Sequence, residues 1–130
     1  MEELQLKAGR VLILDEQIYC FQPLEQYNLD TAAEDMENFI KFLGGKKVYL
    51  ISDLRSIKKA IPKKIRDYLI NALSNHLLGS AILVKSDISK IVVNLALAFK
   101  QSKYPRRLFS DDQPALEWLQ KLKQKHQQED

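Results

Sequence analysis

The sequence predicts one α/β domain in which an N-terminal hairpin precedes alternating helices and parallel strands. The chain has 130 residues, 45% hydrophobic and 28% charged, which are ordinary values for one globular domain. Short runs rich in β-branched residues alternate with segments whose apolar residues recur every three or four positions. Such alternation is typical of parallel strands joined by helical crossovers, so we expect a mixed sheet of about five strands with four main helices.

The first two strands are predicted at residues 10–14 and 17–21, which carry the apolar runs RVLIL and QIYCF. The residues between them, Asp15 and Glu16, are typical of a tight turn, so the two strands form a hairpin.

The first helix is predicted at residues 31–43. Thr31 and Glu34 have the spacing of a capping box, and the pair Gly44 and Gly45 supplies the backbone freedom that ends a helix.

The later elements follow the same alternation. The run KVYLISD is continuously apolar at its centre and predicts a strand covered on both faces, which ends at Asp53. The remaining elements are predicted to be a helix at 62–74, a strand at 80–85, a helix at 87–99, a strand in RRLFS after Tyr104 and Pro105, and a terminal helix capped by Ser110. The domain core then spans about residues 10–122, and the polar residues 124–130 are expected to fray.

Four segments together resemble the STAS-like domains, and especially their SpoIIAA-like and STAS/SEC14-like bacterial relatives. These segments are YLISDLRSIKKA, IPKKIRDYL, AILVKSDISKIVVNLALAF and RRLFSDDQPALEWLQKL. The resemblance implies a SpoIIAA-like sheet and a non-enzymatic domain for protein association or regulation. Its alternative implication, from the SEC14-like relatives, is a small carrier of a lipid or another apolar ligand.

The signalling members of that family carry a phosphorylated serine in the loop after the strand that ends in Asp-Leu. Alignment from Asp53 places Ile61, Pro62, Lys63 and Lys64 at the positions of the family's Asp-Ser-Ser-Gly motif. The phosphorylatable serine is therefore absent, and the resemblance disfavours regulation by a kinase.

The same region carries a basic segment, in which six cations follow one another with no intervening acid: Arg55, Lys58, Lys59, Lys63, Lys64 and Arg66. It is a candidate surface for an acidic protein partner or a phosphate-bearing ligand, and its alternative interpretation is an ordinary solvated face. Nucleic acid is disfavoured, since no aromatic residue is interleaved to stack on bases.

Two further sets of candidate binding residues are suggested by where they lie in the predicted elements. Asp53 ends a predicted strand, where open α/β sheets bind ligands, although its carboxylate is equally suited to hold the following loop. Val93 and Leu97 lie opposite the main apolar stripe of the predicted helix 87–99. They are a candidate apolar interface for a homodimer or partner, or a ridge that borders a ligand, and the alternative of equal weight is that they pack on another element inside the domain.

No pattern of catalytic or metal-binding residues is present. Cys20 is the single cysteine and is expected to be a buried hydrophobic residue, whereas His76 and His126 lie far apart with no metal-binding spacing. The glycines form no phosphate-binding loop. We therefore expect no enzyme activity, no metal and no cofactor.

The chain has a net charge of +3 and no apolar stretch long enough to cross a bilayer. Together with the lone cysteine and the absence of a signal-like N-terminus, this favours a cytoplasmic location.

Overall fold

Six strands form one sheet in the computed structural model, which describes residues 2–23, 28–57, 61–85 and 103–128. The strands lie in the sheet in the order in which they follow one another along the chain: β1 (Glu3–Gln5), β2 (Gly9–Ile13), β3 (Ile18–Pro23), β4 (Val48–Asp53), β5 (Leu77–Leu83) and β6 (Arg106–Phe109). The first three strands are antiparallel, and β3 to β6 run parallel. The predicted hairpin is thus confirmed, and β1 is a sixth strand that the sequence analysis missed.

The described residues contain three helices: α1 (Leu29–Leu43), α2 (Lys63–Leu73) and α3 (Asp112–Gln128). The fourth predicted helix, at 87–99, lies outside the described residues. None of the helices in the described part of the chain combines the length and apolarity needed to cross a membrane.

The parallel strands add to the sheet in one direction, without a reversal of strand order. Crossovers of the same hand between successive neighbours place their helices on the same face of a sheet. In agreement, α1 and α2 pack against each other on one face, whereas α3 packs on the opposite face against β4, β5 and β6.

In strand β4, the side chains on both faces of the sheet are buried. Val48 and Leu50 pack in the cluster under α1 and α2, and the alternate residues Tyr49 and Ile51 pack in the cluster under α3. All four are at most 3% exposed. This is the two-sided burial that the apolar run predicts.

The start of α1 differs from the prediction. Asn28, not Thr31, is the N-cap, and its side-chain oxygen accepts a 2.8 Å hydrogen bond from the backbone N–H of Thr31. The helix consequently begins two residues earlier, at Leu29. Its end is as predicted, because Gly44 takes the left-handed conformation with φ of 58°.

The C-terminal helix also extends beyond the prediction. It continues to Gln128, through residues 124–128 that the sequence analysis expected to fray. Lys123 binds the carboxylate of Asp15 at 3.0 Å and fixes the helix to the β2–β3 turn. The side chain of Leu122 lies so close to Gly79 that a Cβ there would come within 2.6 Å of it. Within residues 124–128, His126 stacks on the ring of Tyr49, so this polar segment also contacts the sheet.

Candidate functional site

A partly open cavity of about 110 Å³ lies between the sheet and the layer formed by α1 and α2. Its wall is mostly apolar side chains. The described residues that line it come from the β1–β2 turn, the helices α1 and α2, the loop after β4, and strands β3 to β6, together with Tyr104, which lies two residues before β6.

The floor of the cavity follows from the register of the parallel strands. Leu50, Ser80 and Arg106 are paired in one row across β4, β5 and β6, and all three line the cavity. The next row on the same face places Ser52 beside Ile82. A period of two along each strand therefore brings these side chains to one surface.

The roof is formed by two amphipathic helices. Met36 and Phe39 of α1 belong to the buried core cluster, and the partly buried Leu69 and Leu73 of α2 pack against it. All four line the cavity. Ile70 lies at the wall and is half-buried. A substitution of Ile70 can thus change the size of the cavity without replacing a fully buried residue.

Asp35 is the only acidic residue among the described lining residues, and it is 3% exposed. Its two carboxylate oxygens accept hydrogen bonds from the backbone N–H groups of Lys7 (2.9 Å) and Ala8 (3.0 Å). Asp35 therefore joins α1 to the β1–β2 turn, and its hydrogen-bonding groups serve the fold.

Two arginines line the cavity from opposite sides. Arg66 projects from α2 in the roof, and its Nε is buried with no hydrogen-bond partner among the described residues. Arg106 lies in the floor on β6, where burial lowers the pKa of its guanidinium. It nonetheless stays charged at any physiological pH, since arginine is not deprotonated in proteins. Tyr104 lies nearby in the wall, and burial raises the pKa of its hydroxyl, which stays protonated.

The basic segment does not form one continuous cationic surface over its described members. Arg55 is bound to Asp53 and Asp112 at 2.9 and 2.8 Å, and Lys63 is bound to Asp67 at 2.7 Å. Arg66 lines the cavity, and Lys64 is exposed. Lys58 and Lys59 lie outside the described residues.

Asp53 lies on the α3 side of the sheet and is not among the residues that line the cavity. Its carboxylate accepts two hydrogen bonds from the guanidinium of Arg55, each of 2.9 Å, and a third from the backbone N–H of Arg55. These bonds hold the pKa of Asp53 below its ordinary value. This arrangement matches the loop-holding alternative for Asp53.

The remaining candidate residues are placed as follows. Val93 and Leu97 lie outside the described residues. Cys20 is buried, and burial raises the pKa of its thiol to about 12, so it is not a reactive thiolate at neutral pH. His126, a residue of α3, stacks on Tyr49, and neither residue lines the cavity. No cluster of three potential metal ligands occurs in the described ranges.

Four residues of the cavity wall were not predicted from the sequence as members of a site: Ser52, Ser80, Tyr104 and Arg106. A signal was present, because Ser80 and Arg106 are polar residues at inward positions of predicted strands. Without the register of β5 against β6, however, the sequence does not show that they are neighbours.

The protein is an α/β domain in which helices cover both faces of the sheet, and a mostly apolar cavity lies between the sheet and the helices α1 and α2. The chain belongs to the family described as a domain of unknown function, DUF7793, whose model matches residues 12–123. No curated protein and no solved structure matches the sequence. The family match carries no link to STAS-like domains, so that resemblance stays a prediction.

Proposed function

We propose that this domain binds a small, largely apolar molecule in the cavity between the sheet and the helices α1 and α2, and that it acts as a carrier or sensor. The observation that supports this proposal is the cavity itself. Interiors of folded proteins are close-packed, and an apolar cavity costs free energy that an occupant of suitable size recovers.

The size of the cavity sets the size of the occupant. An apolar cavity of about 150 Å³ takes up a benzene molecule or a xenon atom, and the cavity here is about 110 Å³ with an opening to solvent. A benzene-sized or short branched group therefore fits inside, with any larger part of the molecule extending outward. A complete membrane lipid is too large to be enclosed.

The polar groups of the wall favour binding over catalysis. The described lining residues include the hydroxyls of Ser52, Ser80 and Tyr104 but neither a histidine nor a cysteine. A serine nucleophile requires a positioned base, and Asp35, the acid in the wall, accepts its hydrogen bonds from two backbone N–H groups.

Association with an acidic protein, through a STAS-like domain, remains the alternative from the sequence. It has less support because Arg55 and Lys63 are already paired with aspartates and Arg66 lines the cavity.

The direct test is a titration of the protein with toluene, followed by ¹H–¹⁵N NMR. We expect chemical-shift changes at Leu50, Ile82 and Leu69, which line the floor and roof. Ile70→Trp, which narrows the cavity, should weaken toluene binding at least about tenfold, an effect of about 1.4 kcal/mol.

Asn71→Trp is the matched control, because Asn71 is the exposed neighbour on the same helix and does not line the cavity. It should leave the affinity unchanged. The proposal would be overturned if toluene caused no chemical-shift changes in the protein, or changes only at residues on the α3 face of the sheet. Native mass spectrometry of freshly purified protein adds a second readout, in which a retained small molecule supports the proposal.

A further inference from the structure

Two polar side chains are buried in the described part of the chain, those of Asp35 and Ser80, which are 3% and 4% exposed. Asp35 is satisfied in the fold, because its carboxylate accepts hydrogen bonds from the backbone N–H groups of Lys7 and Ala8. A buried hydroxyl group also needs a hydrogen bond, since burial without one costs free energy.

The side chain of Ser80 points into the cavity. Its neighbours in β5 lie on the opposite face of the sheet: a Cβ at Gly79 would collide with α3, and Ala81 packs in the cluster under α3. Because side chains alternate along a strand, Ser80 faces α1 and α2 and lines the cavity floor. The other residues of β5 that line the cavity, Leu77 and Ile82, are apolar.

The hydroxyl of Ser80 has no partner among the residues that the structure describes. Its backbone N–H donates a 2.9 Å hydrogen bond to the carbonyl oxygen of Pro105, beside the pairing of β5 with β6. Its Oγ makes no hydrogen bond to another described residue, and the small surface that this atom keeps open faces the cavity. An occupant that reaches the floor therefore covers this hydroxyl, and a purely apolar occupant leaves it buried without a hydrogen bond.

We propose that the ligand of this cavity is a small neutral alcohol or phenol, whose hydroxyl group hydrogen-bonds to Ser80 while its apolar body lies against the roof. This inference rests on the proposed function, since it names the chemical class of the molecule that the cavity takes. A ligand hydroxyl suits a serine because each group both donates and accepts a hydrogen bond. A neutral group also avoids the larger cost of burying a charge.

Phenol and toluene are matched probes of this inference, because they differ by a hydroxyl in place of a methyl group. Each is titrated into the full chain of the wild type and of Ser80→Ala, and the dissociation constants are measured by NMR. We expect Ser80→Ala to lower the ratio of phenol affinity to toluene affinity at least about tenfold. In the variant the phenol hydroxyl loses its partner, and toluene no longer buries a serine hydroxyl.

Ser56→Ala is the matched control, because it makes the same chemical change at an exposed residue that does not line the cavity. It should leave the ratio of the two affinities unchanged. Without ligand, Ser80→Ala should also leave the urea unfolding midpoint unchanged, since the hydroxyl has no partner among the described residues. A clear loss of stability would show that this hydroxyl serves the fold, and it would contradict the inference.

The outcomes separate the two proposals. If toluene does not bind the wild type, the proposed function fails. If toluene binds but the ratio of affinities is the same in the wild type and Ser80→Ala, the inference about Ser80 alone is overturned. It is also overturned if phenol does not bind the wild type, or if Ser56→Ala lowers the ratio as much as Ser80→Ala does.

Discussion

The hydroxyl of Tyr49 lies 2.7 Å from Nδ1 of His126, and the two rings stack with centroids 5.8 Å apart. This contact joins a residue at the centre of the sheet to the last turns of α3. Burial raises the pKa of Tyr49, so its hydroxyl stays protonated and is able to donate to the imidazole nitrogen. The C-terminal helix is thus fixed near its end by a hydrogen bond in addition to apolar packing.

Tyr49→Phe should lower the free energy of unfolding by about 1 kcal/mol, because the variant keeps the ring and loses one hydrogen bond. Urea denaturation of Tyr49→Phe, His126→Ala and the double variant measures the interaction free energy between the two side chains. We expect a value of about 0.5–1 kcal/mol. Lys125→Ala, on the exposed side of the same turn, should have no effect. Strictly additive losses in the double variant would show that the contact contributes nothing.

Asp35→Asn should destabilise the protein by about 2 kcal/mol, since an amide has one acceptor oxygen where two backbone N–H groups require two. The adjacent variant Glu34→Gln removes the same charge and breaks the exposed ion pair of Glu34 with Lys7, so it should lower the free energy of unfolding by less than about 1 kcal/mol. Equal effects of the two variants in urea denaturation would contradict the role assigned to the backbone hydrogen bonds of Asp35.

Asp53→Asn should lower the stability by about 1 kcal/mol at pH 7, a value that allows for solvent screening of a partly exposed pair. Arg55 holds the pKa of Asp53 below its ordinary value, so the unfolded chain takes up this proton more readily than the folded one. The stabilisation is therefore present above the unfolded value of about 3.9 and is lost as the pH falls through the folded pKa.

The difference between wild type and Asp53→Asn should accordingly be constant from about pH 7 to about pH 5 and shrink below about pH 4. Thermal unfolding across this range measures it. Asp67→Asn is the control, because Asp67 pairs with Lys63 on the exposed side of α2 and should show no measurable change at pH 7. A difference that grows toward low pH would reverse the assigned sign.

The sequence predicted the alternating part of the fold well, since strong local patterns mark it. The continuous apolar run of β4 and the glycines after α1 are local signals, and both elements end where predicted. Strand β1 was missed because its three residues gain their structure from pairing with β2, and Glu3 and Gln5 give no apolar period.

The candidate site was less predictable because it depends on neighbours that are distant in sequence. Arg66 appears in the sequence as one member of a basic run, and only its position on the inner side of α2 separates it from Lys64. Similarly, Asn28 caps α1 although the spacing of Thr31 and Glu34 suggests a capping box, since either residue satisfies the local chemistry.

The placement of α3 has a consequence for synthesis of the protein. Of the helices in the described residues, α3 is the one that covers the face containing Ile18, Tyr49 and Leu83. Chains emerge from the ribosome N-terminus first, at about 5–20 residues per second. Of the described helices, the one that buries that face is thus synthesised last, and its packing against the sheet waits until residues 112–128 have left the exit tunnel.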